Sequence, residues 1–295
     1  MEFKKVDFNL LKGEENSNYR KEIIKKVLDS KVVQQFMKEN NLDESIVDAN
    51  LAVLLRFAEE NECCLNCKSI YECPKDVKGY QASLNISFGR FFEIEYVPCK
   101  YQLEFTKKIS NYIYHDFEDY WVDAKLDKLV INNYRKLVIK KCVDLIGGKM
   151  KSLYIHGKTG VGKSYISAAT LNEYIFLTNN KVAFVNAKKI IDSLRNLLYE
   201  KLNDDYDVIK HNLLDVSFLV IDDIGNEKIT DWSKEEIYDI IDARYQKGLL
   251  TIFTSDYSID ELKELYGKKD LKNRKLFSRL ESYSTEIELL GIQVK

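Results

Sequence analysis

Proline is almost missing: the 295 residues contain two, Pro74 and Pro98, and both sit in one cysteine-rich stretch. Elsewhere the chain has few obstacles to helices and strands, because only proline removes a backbone donor and blocks a helix interior. Net charge is equally scarce. The 45 Lys and Arg against 47 Asp and Glu leave −2, which excludes nucleic-acid binding through overall positive charge and confines any such contact to a local patch. No apolar run approaches the roughly 18 residues of a membrane span. The first residues, Met1 to Asp7, lack the apolar stretch of a secretory signal. A cytoplasmic protein without a membrane segment is expected. There is no internal repeat and no low-complexity tract. The length exceeds the roughly 100–200 residues that one core usually serves, so two domains are expected.

Against these absences stands one dense local signal, Gly157-Lys158-Thr159-Gly160-Val161-Gly162-Lys163-Ser164. It lies between a strand-like stretch, 152–156, and an amphipathic segment. Glycines let successive backbone N–H groups turn inward around a polyphosphate, and the following helix points its positive end at the anion. Lys163 is placed to reach the β- and γ-phosphates and Ser164 to ligate Mg²⁺. The next residue, Tyr165, is counted among the nucleotide contacts.

A second signal supports the first. Four apolar residues, Phe218 to Ile221, run into Asp222 and Asp223, and unpaired buried carboxylates at a strand end are costly without a function. Beside a phosphate loop, Asp222 would hold the Mg²⁺ shell and Asp223 would orient or deprotonate a water. The pair matches the Walker A and Walker B elements of P-loop ATPases. Strand 249–254 exits into Ser255 and Asp256, where a polar side chain could sense the γ-phosphate. Residues 268–280 are a basic helix in which Arg279, between apolar neighbours, is a candidate arginine supplied to a neighbour's ATP. Arg244 is a second candidate for an intersubunit role.

Periodicity fills in the rest. Residues 21–57 read as two or three short helices. Alternation through Leu84, Ile86 and Phe88, then Phe92, Ile94 and Tyr96, reads as a hairpin turning at Gly89-Arg90. Residues 101–125 show no steady period and read as a connector. From Leu126 to Ile146 a helical stripe carries Leu129, Val130, Tyr134, Leu137, Val138, Cys142 and Leu145. After it, strand and helix alternate, and apolar-throughout strands argue a parallel sheet with helices on both faces, an α/β fold. Ser233 with Glu236 and Ser258 with Glu261 are expected to cap two of its helices.

Cysteines in a reducing compartment point to metal before disulfide. Cys64-x₂-Cys67, Cys73 and Cys99 form a workable tetrahedral Zn²⁺ set, and Cys63 could replace Cys64. The three histidines, His115, His156 and His211, lie outside this segment.

Taken together, Cys64 to Cys67, Cys73, Gly79-Tyr80, Glu95-Tyr96, Cys99, Gly157–Ser164, Leu219 to Gly225, Trp232, Thr254-Ser255 and Leu276 to Arg279 resemble the DnaI family of bacterial replicative helicase loaders. The loader DnaC and the transposition helper IstB are more distant likenesses. The resemblance implies a helical zinc-binding domain with a β-hairpin over 1–100 that engages the hexameric replicative DNA helicase, a connector over 101–125, and a C-terminal AAA+ ATPase domain over 126–295. That domain would bind ATP and single-stranded DNA and self-associate, and other primosomal proteins are further possible partners. The implied cofactors are ATP, Mg²⁺ and Zn²⁺. Four departures qualify this. Gln81 stands where the family often has a histidine, so Cys73 is needed as a ligand. Asp256 replaces the common Asn, an anion that would repel the γ-phosphate, so Ser255 or Thr254 is expected to take the sensor role. Thr285 to Lys295 contains no arginine, and Asp223 in place of Glu implies slow hydrolysis suited to a switch. A transposition helper ATPase and a zinc-containing DNA-binding regulator with an ATP-sensing site are the competing readings.

Overall fold

The computed structural model describes residues 14–87, 90–129, 133–267 and 271–291. Phe88, Gly89, Val130, Lys268, Lys269 and Asp270, which carried parts of the sequence reading, lie outside them. The chain divides into two compact units, residues 1–106 and 107–295.

The first unit contains helices α1 (Glu14–Asp29), α2 (Lys31–Glu39) and α3 (Leu51–Glu62), then an antiparallel hairpin of β1 (Tyr80–Ser87) and β2 (Phe91–Pro98). Val27, Val33, Leu54 and Phe57 pack against Ala82, Leu84 and Phe92 of the hairpin. A two-stranded ribbon leaves both edges without partners, and buried backbone groups need them. Two buried asparagines supply them. Asn61 on α3 donates to Ala82 O at 2.8 Å and accepts from Ala82 N at 3.2 Å, while Asn50 accepts from Phe92 N at 3.0 Å and donates to Arg90 O at 2.8 Å. Helix α4 (Lys100–Ile109) follows.

The second unit runs β3 (Tyr112–His115), α5 (Asn133–Ile146), β4 (Ser152–His156), α6 (Lys163–Thr178), β5 (Val182–Asn186), α7 (Ala187–Tyr199), α8 (Asn203–Asp215), β6 (Phe218–Asp222), α9 (Asp231–Lys247), β7 (Leu250–Ser255), α10 (Ile259–Tyr266), α11 (Leu271–Tyr283) and β8 (Ser284–Glu288). The strands form one sheet in the order β3-β5-β6-β7-β4-β8, parallel at every pairing. Successive strand residues serve opposite faces. Leu153, Ile155, Phe184, Val220 and Ile252 pack with α5 and α6, and Tyr154, Val185, Leu219, Ile221 and Phe253 pack with α7 to α11. Both faces are covered, which is why the strands read as apolar throughout.

Several local expectations are corrected. The supposed connector contains β3, the edge strand beside β5; a four-residue strand with one neighbour is too short to show a period. On α5 the buried face is Arg135, Val138, Cys142 and Leu145, whereas Tyr134 and Leu137 are exposed. Helix α9 begins two residues earlier than Ser233: Thr230 is its N-cap, in a reciprocal capping box with Ser233. Glu236 instead turns inward and accepts the hydroxyl of Tyr206 at 2.7 Å. The box of Ser258 and Glu261 at the start of α10 is present.

Candidate nucleotide site

Parallel strands direct their carboxyl ends to one side of the sheet, where ligands of such folds bind. At that edge β4 passes into Gly157–Gly162 between β7 and β8, with His156 opposite Ser255 and Glu288. Gly157 has φ 146°, and a Cβ there would stand 2.4 Å from the Leu289 carbonyl oxygen. No other residue fits. The loop feeds α6, whose first residue, Lys163, is buried. Its ammonium donates to Gly157 O and to Asp256 Oδ1, both at 2.7 Å, and to Lys158 O at 3.3 Å. Thr159 donates its hydroxyl to the other Asp256 oxygen at 2.7 Å. Burial tends to raise the Asp256 carboxyl, but the bonds from Lys163 and Thr159 outweigh it and hold it below its ordinary range.

Asp222 ends β6 fully inside the site. It accepts the Thr254 hydroxyl at 2.6 Å and a bond from Ser164, yet burial, followed by the charge of Asp223, pushes it up to about 6. Asp223 leaves the strand at φ 61°, its N–H donates to Thr254 Oγ1 at 2.9 Å, and burial raises its carboxyl. The structure therefore gathers Lys163, Ser164, Asp222, Asp223 and Asp256 into one cluster. Ser164 with Asp222 is a hydroxyl and carboxylate pair of the kind that binds Mg²⁺ together with substrate phosphates. Lys163 already holds an anionic oxygen. These residues fit Mg²⁺ and a nucleotide triphosphate.

The expected sensors are differently employed. Ser255 donates to Ile224 O at 2.6 Å and accepts from Tyr257 N at 3.1 Å, and Thr254 serves the two aspartates. Asp256, expected to be repelled from this position, is the side chain that meets the phosphate loop, through Lys163 and Thr159. Tyr165 lies edge-on to Trp121 with centroids 5.8 Å apart, and Trp121 stacks on Phe117 at 6.0 Å.

Two contributors escaped the sequence reading. Arg135, buried on α5, donates to the carbonyl of Val161 in the loop at 3.2 Å, but in sequence it is one of several basic residues on that helix. Glu227 is buried, accepts from Gly225 N at 2.8 Å and from the Tyr266 hydroxyl, and so ties the turn after β6 to α10. Neither position has a local sequence signal.

The two candidate arginines part company. Arg244 is 0% exposed and donates to Thr251 Oγ1, Leu213 O, Val216 O and Leu250 O at 2.6–2.9 Å, so it is a core residue and an intersubunit role is excluded. Burial pulls its guanidinium down to about 10. Arg279 on α11 is partly exposed, donates to Asp242 of α9 at 2.6 Å and lies over the Tyr245 ring at 4.3 Å.

The zinc set is not assembled. The six cysteines are thiols rather than disulfides, and among the described residues no group of three or more His, Cys, Asp or Glu side chains is arranged to hold a metal. The hairpin does return Cys99, whose N–H donates to Gly79 O at 2.8 Å. Burial pushes the Cys73 thiol up, but backbone N–H bonds from Gly79 and Lys75 outweigh it and leave it below its ordinary value. The Cys67 thiol donates to Ser69 O at 3.3 Å, and Cys64, raised by burial, interacts with Cys63. Among the described residues Cys64, Cys67, Cys73 and Cys99 thus do not form a group that would hold Zn²⁺.

The family of IstB-like ATP binding proteins matches residues 115–291, and the family of primosomal protein DnaI N-termini matches residues 3–96. The replicative helicase loader DnaI of Bacillus subtilis is 29% identical over 289 residues, covering 90% of each chain. The loader DnaC of Escherichia coli is 24% identical over 164 residues, 56% of this chain and 64% of that one. Crystal structures of DnaI and of the DnaC helicase loader superpose with TM-scores of 0.54 and 0.51, at 23% and 24% identity, covering 64% and 59% of this chain and 100% of each of theirs.

Proposed function

We propose that this chain, which belongs to the IstB-like ATP-binding protein family, is an ATP-dependent loader that places a hexameric replicative DNA helicase on single-stranded DNA in replication initiation or restart. One observation carries the reading: the likeness to a helicase loader runs through both units and not through the ATP-binding unit alone. The N-terminal match also favours a loader over a transposition helper, for which the cysteine-bearing first unit has no expected use. Residues 1–100 would bind the helicase, and residues 126–295 would bind ATP, self-associate and hold single-stranded DNA.

In this reading Lys163 holds the β- and γ-phosphate oxygens, and the loop N–H groups surround the chain of phosphates. Ser164 and Asp222 would hold Mg²⁺. Bound Mg²⁺ and ATP would supply the electrophilic γ-phosphorus and neutralise its charge. Asp223, raised by burial, would orient the attacking water and accept its proton, and Arg279 would reach the ATP of a neighbouring copy. Hydrolysis is expected to be slow, a switch between helicase-bound and released states. No step depends on zinc, which the thiol arrangement does not support.

The test is co-elution of the purified full chain with the hexameric replicative helicase of its own organism. A complex is expected with and without ATP, and Lys163→Ala should lose ATP binding while keeping the helicase. Absence of a complex under both conditions would overturn the proposal.

A further inference from the structure

Asp256 takes one donor of Lys163, the ammonium that the proposed function assigns to phosphate. An ammonium group has three donors and no more, and those of Lys163 are committed to Gly157 O, Lys158 O and Asp256 Oδ1. Two of these acceptors are backbone carbonyls of the loop itself. The third is a side chain from beyond β7, 93 residues away in sequence. Its second oxygen takes the Thr159 hydroxyl at 2.7 Å, so the carboxylate bridges two loop residues with both oxygens, as a bound anion does. The Asp256 side chain is 29% exposed whereas Lys163 is 5% exposed, so the carboxylate, not the lysine, has room to leave. Once displaced, it cannot stay nearby, because Asp223 and an incoming phosphate are both negative.

We propose that Asp256 is an internal competitor for nucleotide: a nucleoside di- or triphosphate binds only by taking Lys163 from it, and this exchange sets the affinity of the site. The proposal rests on the reading of Gly157–Ser164 as a nucleotide site and adds to it a residue that weakens binding. Thr159 positions the competitor through its hydroxyl.

The experiment is equilibrium titration of the full chain with fluorescent analogues of ATP and ADP in Mg²⁺, beside thermal unfolding without nucleotide. Asp256→Asn keeps the shape and removes the charge. It should tighten both nucleotides about ten-fold, the scale of one charged hydrogen bond reduced by partial exposure. Thr159→Val, which leaves the charge but removes one anchor, should tighten them by less. Lys163→Ala should abolish binding in either background. Unchanged or weaker binding by Asp256→Asn, with the wild type binding normally, overturns the competitor and leaves the nucleotide site standing. If neither wild type nor Asp256→Asn binds while both unfold cooperatively, both readings fall. A purely structural Asp256 would lower the unfolding temperature in the variant without any gain in affinity.

Discussion

Thr254 donates its hydroxyl to Asp222 at 2.6 Å, and the same oxygen accepts the N–H of Asp223 at 2.9 Å. One small side chain on β7 therefore fixes the Asp222 carboxylate and the Asp223 backbone at the end of β6. Two negative groups in a buried place repel each other, and part of that cost is held off by the hydroxyl.

The remaining cost sets a pH dependence. Asp222 is raised from 3.8 to about 6 by burial and by Asp223. For a carboxyl raised in the folded state, the favourable contribution is present below the unfolded value and is lost as pH rises through the folded one. Stability of the nucleotide-free protein should fall by about 2–3 kcal/mol between about pH 4 and pH 6 from this group. Asp222→Asn should then unfold at higher urea than the wild type at pH 7.5, with the difference vanishing near pH 4. Its Mg²⁺-dependent ATP turnover should be lost.

Arg244 provides a second check. Replacing it with Met leaves the carbonyls of Leu213 and Val216 without their donor in the core. Arg244→Met should lower stability by about 2–4 kcal/mol in urea unfolding. ATP turnover of the folded protein should be unchanged, whereas loss of an intersubunit arginine would slow turnover and leave stability intact.

Asn61→Ala removes both bonds to Ala82 at an edge of the hairpin. A loss of about 1–3 kcal/mol is expected, confined to the first unit. Amide hydrogen exchange should speed up at Ala82 and its strand neighbours while the sheet of the second unit keeps its protection.

Arg279 is tested by mixing. Arg279→Ala should bind ATP normally but turn it over slowly, and Lys163→Ala should bind none. An equimolar mixture should recover part of the turnover, because one variant supplies the ATP and the other the arginine. Recovery absent at every protein concentration would remove Arg279 from catalysis.

Much of the second unit was legible because its signals are local. Glycine spacing, the apolar run ending in two aspartates, and strand and helix alternating along the chain each need only a dozen residues to be recognised, and the parallel sheet with both faces covered follows from them. The short edge strand β3 was not legible, since four residues cannot establish a period. On α5 the sequence stripe admitted Tyr134 and Leu137 because an apolar residue reads the same whether it faces the core or solvent, and the burial of Arg135 has no local mark.

By itself the sequence determined the phosphate loop, the acidic end of β6 and the α/β architecture, all of which depend on neighbours in the chain. Only the tertiary structure decided which side chains meet. The order β6-β7-β4 places the end of β7 between the two motifs, and that alone sets Thr254 under Asp222 and Asp256 on Lys163. Packing also buries Arg244 and leaves Arg279 partly exposed on α11. Distances between residues far apart in sequence follow from strand order and packing, and neither is written in any local pattern.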